Sequence, residues 1–274
     1  MRKKLIKNAF LMVSIIFITM LCPNQAKAEE TTPTTSEYTL SADGTPMQAT
    51  MDTNSKTTVI FSFKVDHVSN LEINLSTTNT GCSGSVKAGV FEDKLGSKCI
   101  YTGNYTDLPE DEPVTIHTSL EPGTYYIIYI RNIKYNALKG TVTTSVKTLN
   151  EIKDKMPTTF DKPLTLKSDV TYKGIISSNG KGKLYFKLKL QKKATVHVFT
   201  SAESAYPTIK QFPYKVVILN KDEVEKASKQ LSGVDKIEES TFNLSKGTYY
   251  ICVNVSKTYY VGDVSVKARI NYKK

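Results

Sequence analysis

The chain has 274 residues, of which 9% are aromatic and 23% charged, and its formal net charge is +11. After Leu21 no apolar run approaches the roughly 20 residues that a membrane-spanning helix needs, which excludes a polytopic membrane protein. The length fits two domains, because domains commonly contain about 100–150 residues. The charge is uneven: residues 29–150 carry 9 Lys and Arg against 14 Asp and Glu, and residues 151–274 carry 23 against 12.

The N-terminal residues 1–28 have the pattern of a secretory signal peptide. Basic residues at positions 2–4 and 7 precede the apolar run Ala9–Leu21, and Ala26-Lys27-Ala28 offers a small-x-small cleavage site. We therefore expect a secreted mature chain that begins at Glu29. Its first segment, residues 29–36, is rich in Thr and Pro and is predicted to be a disordered lead-in.

The first predicted domain, residues 37–149, contains two cysteines that flank a predicted strand. Cys82 and Cys99 lie 17 residues apart around Val86–Phe91. Because an extracellular protein tolerates disulfides, we predict that these two cysteines pair. The acidic run Glu110–Glu112 follows, and without the ligand spacing of an EF-hand it is predicted to be a solvated loop and not a calcium site.

The pentapeptide Gly-Thr-Tyr-Tyr-Ile at Gly123–Ile127 predicts a turn followed by a strand. Residues 125, 127 and 129 would lie on one face of this strand and residues 126, 128 and 130 on the other. Both faces are apolar, which is typical of a covered central strand. The tyrosines are therefore interpreted as packing residues, in preference to a ligand-stacking role.

Residues 150–159 are charged, contain a proline and lack alternation, so they are predicted to link the first domain to a second, residues 160–274. The second domain opens with a lysine-rich strand. By the alternation of a strand, Lys183, Lys187 and Lys189 share a face with Tyr185, and Lys192 and Lys193 follow at the turn. This face either binds an anionic polymer or, through its lysines, keeps an edge strand soluble.

Three further segments of the second domain carry chemistry-bearing or ambiguous residues. His197 is interpreted as a packing histidine, since residues 195–201 match Leu71–Thr77 and the match aligns it with Ile73. Asp222–Leu231 has the composition of a short helix. Cys252 is interpreted as a small buried residue, with an intermolecular disulfide as the alternative.

The two halves of the chain are copies of each other. Gly-Thr-Tyr-Tyr-Ile recurs at Gly247–Ile251, 124 residues after its first occurrence. Ile60–Val65 matches a segment 125 residues later, Leu71–Thr77 one 124 residues later, and Gly140–Val146 one 122 residues later. A fixed period of this kind is the signature of duplication. Short strands with regular turns and no convincing helical stripe then predict an all-β protein of two tandem jelly-roll-like β-sandwich domains.

The repeated motif also resembles a known family. Leu120–Ile127 after Ile60–Val65, and Leu244–Ile251 after Tyr185–Leu190, are similar to bacterial pre-peptidase C-terminal domains and to the related collagen-binding domain of clostridial collagenases. The resemblance implies a jelly-roll-like sandwich, usually appended to a secreted hydrolase, that binds a substrate or a surface. No catalytic domain and no Asp/Asn-rich calcium segment accompany it here, so no binding residue is transferred.

The sequence thus predicts a secreted, non-catalytic binding or adhesion protein without cofactor or metal. Its basic second domain would contact an anionic cell-wall or host polysaccharide, with a membrane surface less favoured and nucleic acid not expected. One alternative is an accessory or inhibitory subunit that binds a secreted hydrolase. Another is a structural protein of an extracellular matrix or spore surface. No nucleophile elbow, His-Glu-x-x-His helix or Gly-rich phosphate loop is present to support catalysis.

Overall fold

The computed structural model describes residues 34–51, 57–80, 86–100, 105–131, 139–206, 211–233, 236–255 and 261–273. The predicted signal peptide and most of the predicted lead-in lie outside these residues. The chain from Thr34 onward forms one compact unit. Among the described residues, no helix has the length and apolar character to cross a membrane.

The first half of the chain folds into two packed sheets. One sheet has the order β1-β3-β8-β5-β6 and the other the order β2-β9-β4-β7. Among the described residues its strands are β1 Thr35–Leu40, β2 Met47–Met51, β3 Thr58–Val65, β4 Val68–Thr78, β5 Val86–Phe91, β6 Thr106–Asp107, β7 Val114–Leu120, β8 Gly123–Arg131 and β9 Gly140–Ile152. β9 therefore continues into the segment that was predicted as the linker.

The second half repeats this arrangement strand for strand. Its sheets have the orders β10-β12-β17-β14-β15 and β11-β18-β13-β16. The strands are β10 Leu164–Thr165, β11 Thr171–Ile176, β12 Lys183–Leu190, β13 Ala194–Ser204, β14 Tyr214–Leu219, β15 Glu225–Leu231, β16 Glu238–Leu244, β17 Gly247–Asn254 and β18 Gly262–Tyr272. In both halves the first strand of the five-stranded sheet pairs in parallel and the others pair antiparallel. The predicted all-β architecture of two sandwiches is confirmed.

Each sandwich has its own apolar core, which explains why the two copies keep the same alternation. β3 contributes Phe61, Phe63 and Val65 to the first core, and β12 contributes Phe186, Leu188 and Leu190 to the second. The two strands have the same residue-by-residue burial pattern. Side chains on the opposite face alternate with these, as expected for strands that line one layer of a core.

The strand after the repeated turn is central and covered on both faces, as predicted. β8 is the middle strand of its sheet, and Tyr125, Ile127 and Tyr129 are buried between the sheets. Ile128, on the opposite face, is buried in a small outer cluster. The hydroxyl group of Tyr125 donates a 2.6 Å hydrogen bond to the carbonyl oxygen of Glu121 in the preceding turn. The tyrosine thus fixes the turn of the first copy.

The predicted alignment of β4 with β13 is wrong by one residue. Ile73 and Val198 are both fully buried, whereas His197 is partly exposed on the wet face of its sheet. The true shift is therefore 125 residues, and His197 corresponds to Glu72. Since successive side chains of a strand point to opposite faces, a slip of one residue exchanged core and surface positions in the alignment.

The helix-like composition of Asp222–Leu231 does not give a helix. Residues 225–231 form β15, an edge strand paired with β14, and most of its side chains are exposed. Intrinsic propensity is a weak preference that tertiary pairing overrides. Here the apolar β14 supplies the pairing edge.

The two sandwiches meet through a polar contact. The amide nitrogen of Ser178, in the turn before β12, donates a 2.8 Å hydrogen bond to the carbonyl oxygen of Ser119 at the end of β7. The amide nitrogen of Glu121 donates one of 3.1 Å to the side-chain oxygen of Asn179. One end of the first sandwich therefore docks onto the opposite end of the second.

Candidate binding surface of the second sandwich

The outer face of β12 carries the lysines that the sequence singled out. Lys183, Lys187 and Lys189 point away from the core, opposite the buried residues 184, 186, 188 and 190. Lys189 is exposed, and Lys183 and Lys187 are half-buried. β12 lies between β10 and β17, but β10 pairs with only two of its residues. The alternation predicted from sequence is confirmed.

Tyr185 is covered, although it shares this face. Only 9% of the residue is exposed, and it packs with Val217 and Cys252. The ring of Phe160, from the segment before β10, stands edge-on to it at a centroid distance of 5.9 Å. The amide nitrogen of Tyr185 also donates a 2.6 Å hydrogen bond to the carbonyl oxygen of Pro157. This cover separates Lys183 from the lysines further along the strand and leaves no open aromatic platform.

Lys192 and Lys193 lie beyond β12, in the turn that leads to β13, and both are exposed. Other cations of the second sandwich are paired with carboxylates, for example Lys215 with Glu225 at 3.0 Å and Arg269 with Asp169 at 2.9 Å. None of the five lysines that the sequence predicted to form a surface makes an ion pair within the described part of the chain. The ammonium groups of the three exposed ones, Lys189, Lys192 and Lys193, are therefore available to an external anion.

A cluster of polar side chains around His197 lies on the solvent-facing side of the four-stranded sheet of the second sandwich. The sequence analysis missed this cluster because the repeat was aligned one residue out of register. Nδ1 of His197 lies 2.6 Å from Oε1 of Glu239, and Nε2 lies 3.2 Å from Nδ2 of Asn271. The hydrogen bond with His197 lowers the pKa of Glu239. Both ring nitrogens have partners, so the imidazole is held by its neighbours. Lys267 lies over the ring of Phe199, with Nζ 5.0 Å from the centroid. The period-two pattern of β13, read with the correct shift, is the signal that places these side chains on the surface.

The structure describes Cys252 and Cys99, whereas Cys82 lies outside the described residues. Cys252 is only 4% exposed, and burial raises the pKa of its thiol to about 11. This confirms the interpretation of Cys252 as a buried small residue, and a buried protonated thiol is a poor partner for an intermolecular disulfide. Cys99 forms a β-bridge with Phe91. Cys82 lies outside the described residues, so its disulfide with Cys99 stays a prediction.

The acidic loop of the first sandwich contributes to its own fold. Oε1 of Glu110 accepts a 2.6 Å hydrogen bond from the amide nitrogen of Thr80, and the amide nitrogen of Asp111 donates one of 2.8 Å to the carbonyl oxygen of Thr77. These bonds fasten the loop to the end of β4. No group of three or more potential metal ligands occurs among the residues that the structure describes.

Comparison with known proteins gives structural likeness only. No family model and no curated protein matches the chain. Its fold is similar to the pre-peptidase C-terminal domain of a collagenase from Bacillus anthracis, with 17% identity, a TM-score of 0.29 and coverage of 42% of this chain and 95% of that one. It is also similar to a periplasmic inhibitor of g-type lysozyme from Escherichia coli (9% identity, TM-score 0.25, 42% of this chain and 100% of that one) and to the exported protein XepA of PBSX (12% identity, TM-score 0.26, 83% and 87%). All three TM-scores lie below 0.5, so these similarities identify neither a family nor a function.

Proposed function

We propose that the protein is a secreted, non-catalytic binding protein whose second sandwich contacts an anionic polymer outside the cell. The observation that carries the proposal is the set of exposed lysines at positions 189, 192 and 193, which have no ion-pair partner among the residues that the structure describes. The signal-peptide pattern of residues 1–28 supports an extracellular setting. The charge of residues 151–274, with 23 basic against 12 acidic side chains, supports an anionic partner.

A polymer fits this surface better than a small anion. The lysines are solvent-exposed, and a single exposed ion pair contributes only about 0–1 kcal/mol. A polyanion engages several ammonium groups at once and releases its condensed counterions, so the weak contacts add up. Binding of this kind weakens steeply as salt concentration rises.

The side chains most suited to catalysis have other roles in this proposal. His197 is held between Glu239 and Asn271, and Cys252 is buried with a raised pKa. A nucleophilic cysteine instead needs a lowered pKa and an accessible sulfur.

A salt titration of the mature chain tests the proposal. The protein from Glu29 onward is applied at about 20 mM ionic strength to immobilised heparin, to purified polyribitol phosphate and to uncharged dextran as the control. We expect retention on one or both polyanions, lost as the salt concentration rises, and no retention on dextran. Absence of binding to both polyanions at low salt, or binding that salt does not weaken, would refute the proposal.

A loop of the first sandwich favours a second candidate, the binding of an extracellular protein. Leu95 lies at the tip of the loop after β5 and is 90% exposed. The carboxylate of Asp93 holds this loop by accepting hydrogen bonds from the amide nitrogens of Leu95, Ser97 and Lys98 at 2.9, 3.2 and 2.9 Å. An apolar side chain on a pre-organised loop suits an apolar pocket of a partner protein.

The corresponding loop of the second sandwich shows that the fold does not need this leucine. Asn220 accepts hydrogen bonds from the amide nitrogens of Asp222 and Val224, in the same pattern as Asp93. Asp222 occupies the place of Leu95. A partner in the culture supernatant, such as a secreted hydrolase, should therefore co-purify with the wild type and be lost with Leu95→Asp. Equal recovery with both baits would exclude the loop as its binding site.

A further inference from the structure

The second sandwich ends in a group of lysines at the end opposite its contact with the first sandwich. We call this group the lysine tip and define it as Lys189, Lys192, Lys193, Lys246 and Lys273. The contact with the first sandwich uses Asp263, near the start of β18, whereas Lys273 follows the end of that 11-residue strand. At about 3.3 Å per residue, the two ends lie roughly 30 Å apart.

Three separate segments meet at this tip. Leu190 at the end of β12 pairs with Gly247 at the start of β17, so Lys189 and Lys246 belong to the same end of the sheet. Ala194 pairs with both Leu244 and Tyr272, which brings the turn at 191–193 beside the last residues of β16 and β18. The amide nitrogen of Lys273 donates a 3.1 Å hydrogen bond to the carbonyl oxygen of Lys193.

The tip contains no acidic residue. Segments 189–194, 243–248 and 270–273 hold five lysines and neither Asp nor Glu. The ammonium group of Lys192 lies 5.8 Å from the ring centroid of Tyr272, which is 41% exposed. The positive charges of the tip are therefore compensated neither within these segments nor by an ion pair among the described residues.

The corresponding end of the first sandwich carries ion-paired lysines and contacts the second sandwich. Its turns carry an ion pair between Lys64 and Asp66 at 2.7 Å, and the end of β9 carries Glu151 paired with Lys153 at 3.2 Å. Through Ser119 and Glu121 this end docks onto the second sandwich. The shared topology thus uses this end as a contact surface in the first copy. In the second copy, lysines at positions 192, 193 and 246 stand where the first has His67, Val68 and Pro122.

We infer that the lysine tip is the site at which the second sandwich holds a linear polyanion with a sulfate or phosphate group on each repeat. The inference rests on the proposed function. It places the binding of the polyanion at the lysine tip and not along the length of β12. Lysine is a compact cationic point charge that binds sulfate and phosphate oxygens. A chain fits better than a single anion, because the ammonium groups are spread over three turns and ends with no buried polar group converging on one point.

Two triple variants with equal loss of charge test the inference. The tip variant is Lys192→Gln, Lys193→Gln and Lys246→Gln. Its control, Lys181→Gln, Lys183→Gln and Lys187→Gln, removes three charges from the other part of the β12 region. Binding to heparin and to polyribitol phosphate is measured against salt concentration for both variants and the wild type. Circular dichroism and thermal unfolding verify that all three are folded.

We expect the tip variant to bind at least about tenfold more weakly at low salt. The slope of log K against log salt should fall by about two to three, since each lost phosphate or sulfate contact removes somewhat less than one unit. The control should keep the slope of the wild type. This result with either polymer supports the inference, and the polymer that binds shows whether the tip takes sulfate or phosphate groups. If the wild type binds and the tip variant binds as tightly, the tip is not the binding site. The same follows if the control variant loses as much affinity as the tip variant. In both cases the proposed function stands. If the wild type does not bind at all, both are overturned.

Discussion

The carboxylate of Asp263, in the last strand of the second sandwich, accepts a 2.8 Å hydrogen bond from the side-chain amide of Asn70 in the first. Asn150, at the end of β9, donates to the same carboxylate at 2.9 and 3.0 Å. Asn70 is buried, and its side-chain oxygen accepts a hydrogen bond from Ser119. Two amides of one domain thus satisfy a carboxylate of the other, beside the hydrogen bonds of Ser178 and Glu121 across the same contact.

Replacing Asp263 with Ala should weaken the contact between the sandwiches. The change leaves the buried amide of Asn70 without its acceptor, and a buried unsatisfied donor costs about 1–3 kcal/mol. We expect this loss in the free energy of unfolding by urea, together with a broader or divided transition as the domains begin to unfold separately. Asp222→Ala, which removes an exposed carboxylate from the same sandwich, is the control and should change the transition much less. Equal behaviour of the two variants would contradict a coupling role for Asp263.

The same carboxylate predicts a pH dependence. Burial raises the pKa of Asp263, although the hydrogen bonds from Asn150 and Asn70 oppose the shift. The folded state therefore holds the proton more tightly than the unfolded chain, and the contribution of Asp263 to stability increases as pH falls from its folded pKa to the ordinary value of 3.8. Above that window the contribution is constant. Asp263→Asn, which cannot titrate, should lose stability relative to the wild type as the pH is lowered through the window, measured by urea unfolding at each pH. A difference between the two proteins that does not vary with pH would contradict the shift.

Local patterns predicted the strands because each core needs alternation, and they predicted the buried tyrosines because a strand apolar on both faces has to be covered. The repeat alignment was wrong by one residue at His197. A turn can differ by one residue in length between the two copies, whereas a strand that is shifted by one residue would place its core side chains on the surface. Phe160 over Tyr185 was not predictable from local sequence, since the cover comes from a segment with no strand signal. The pairing of Asp263 with Asn70 left no repeated signature either, because each residue acts in only one copy.

Phe160 should control the reactivity of Cys252. The ring lies 4.3 Å from that of Tyr250 and edge-on to Tyr185, which packs against the thiol. Because the thiolate is the reactive form and the pKa is about 11, native Cys252 should react with a thiol reagent at pH 8 orders of magnitude more slowly than it does in urea. Phe160→Ala should open the outer face of the sheet and increase this rate in the folded protein. Mass spectrometry of the labelled peptide measures the rate for this cysteine alone. Fast labelling of the native wild type would show that the thiol is not buried, and an unchanged rate in Phe160→Ala would show that the ring does not shield it.

Variants of Asp93 and Leu95 should separate the stability of the first sandwich from its binding of a partner protein. Asp93 and Asn220 accept equivalent hydrogen bonds in corresponding loops, and each loop has its fourth residue in the left-handed region, Gly96 at φ 68° and Glu223 at φ 58°. Leu95→Asp gives the first loop the tip residue of the second, so the free energy of unfolding should change by less than about 0.5 kcal/mol. Asp93→Ala removes the acceptor of three backbone amides and should lower the thermal midpoint measurably, as should Asn220→Ala in the second sandwich. A large destabilisation by Leu95→Asp would mean that the leucine serves the fold, and its exposure would then no longer favour a protein partner.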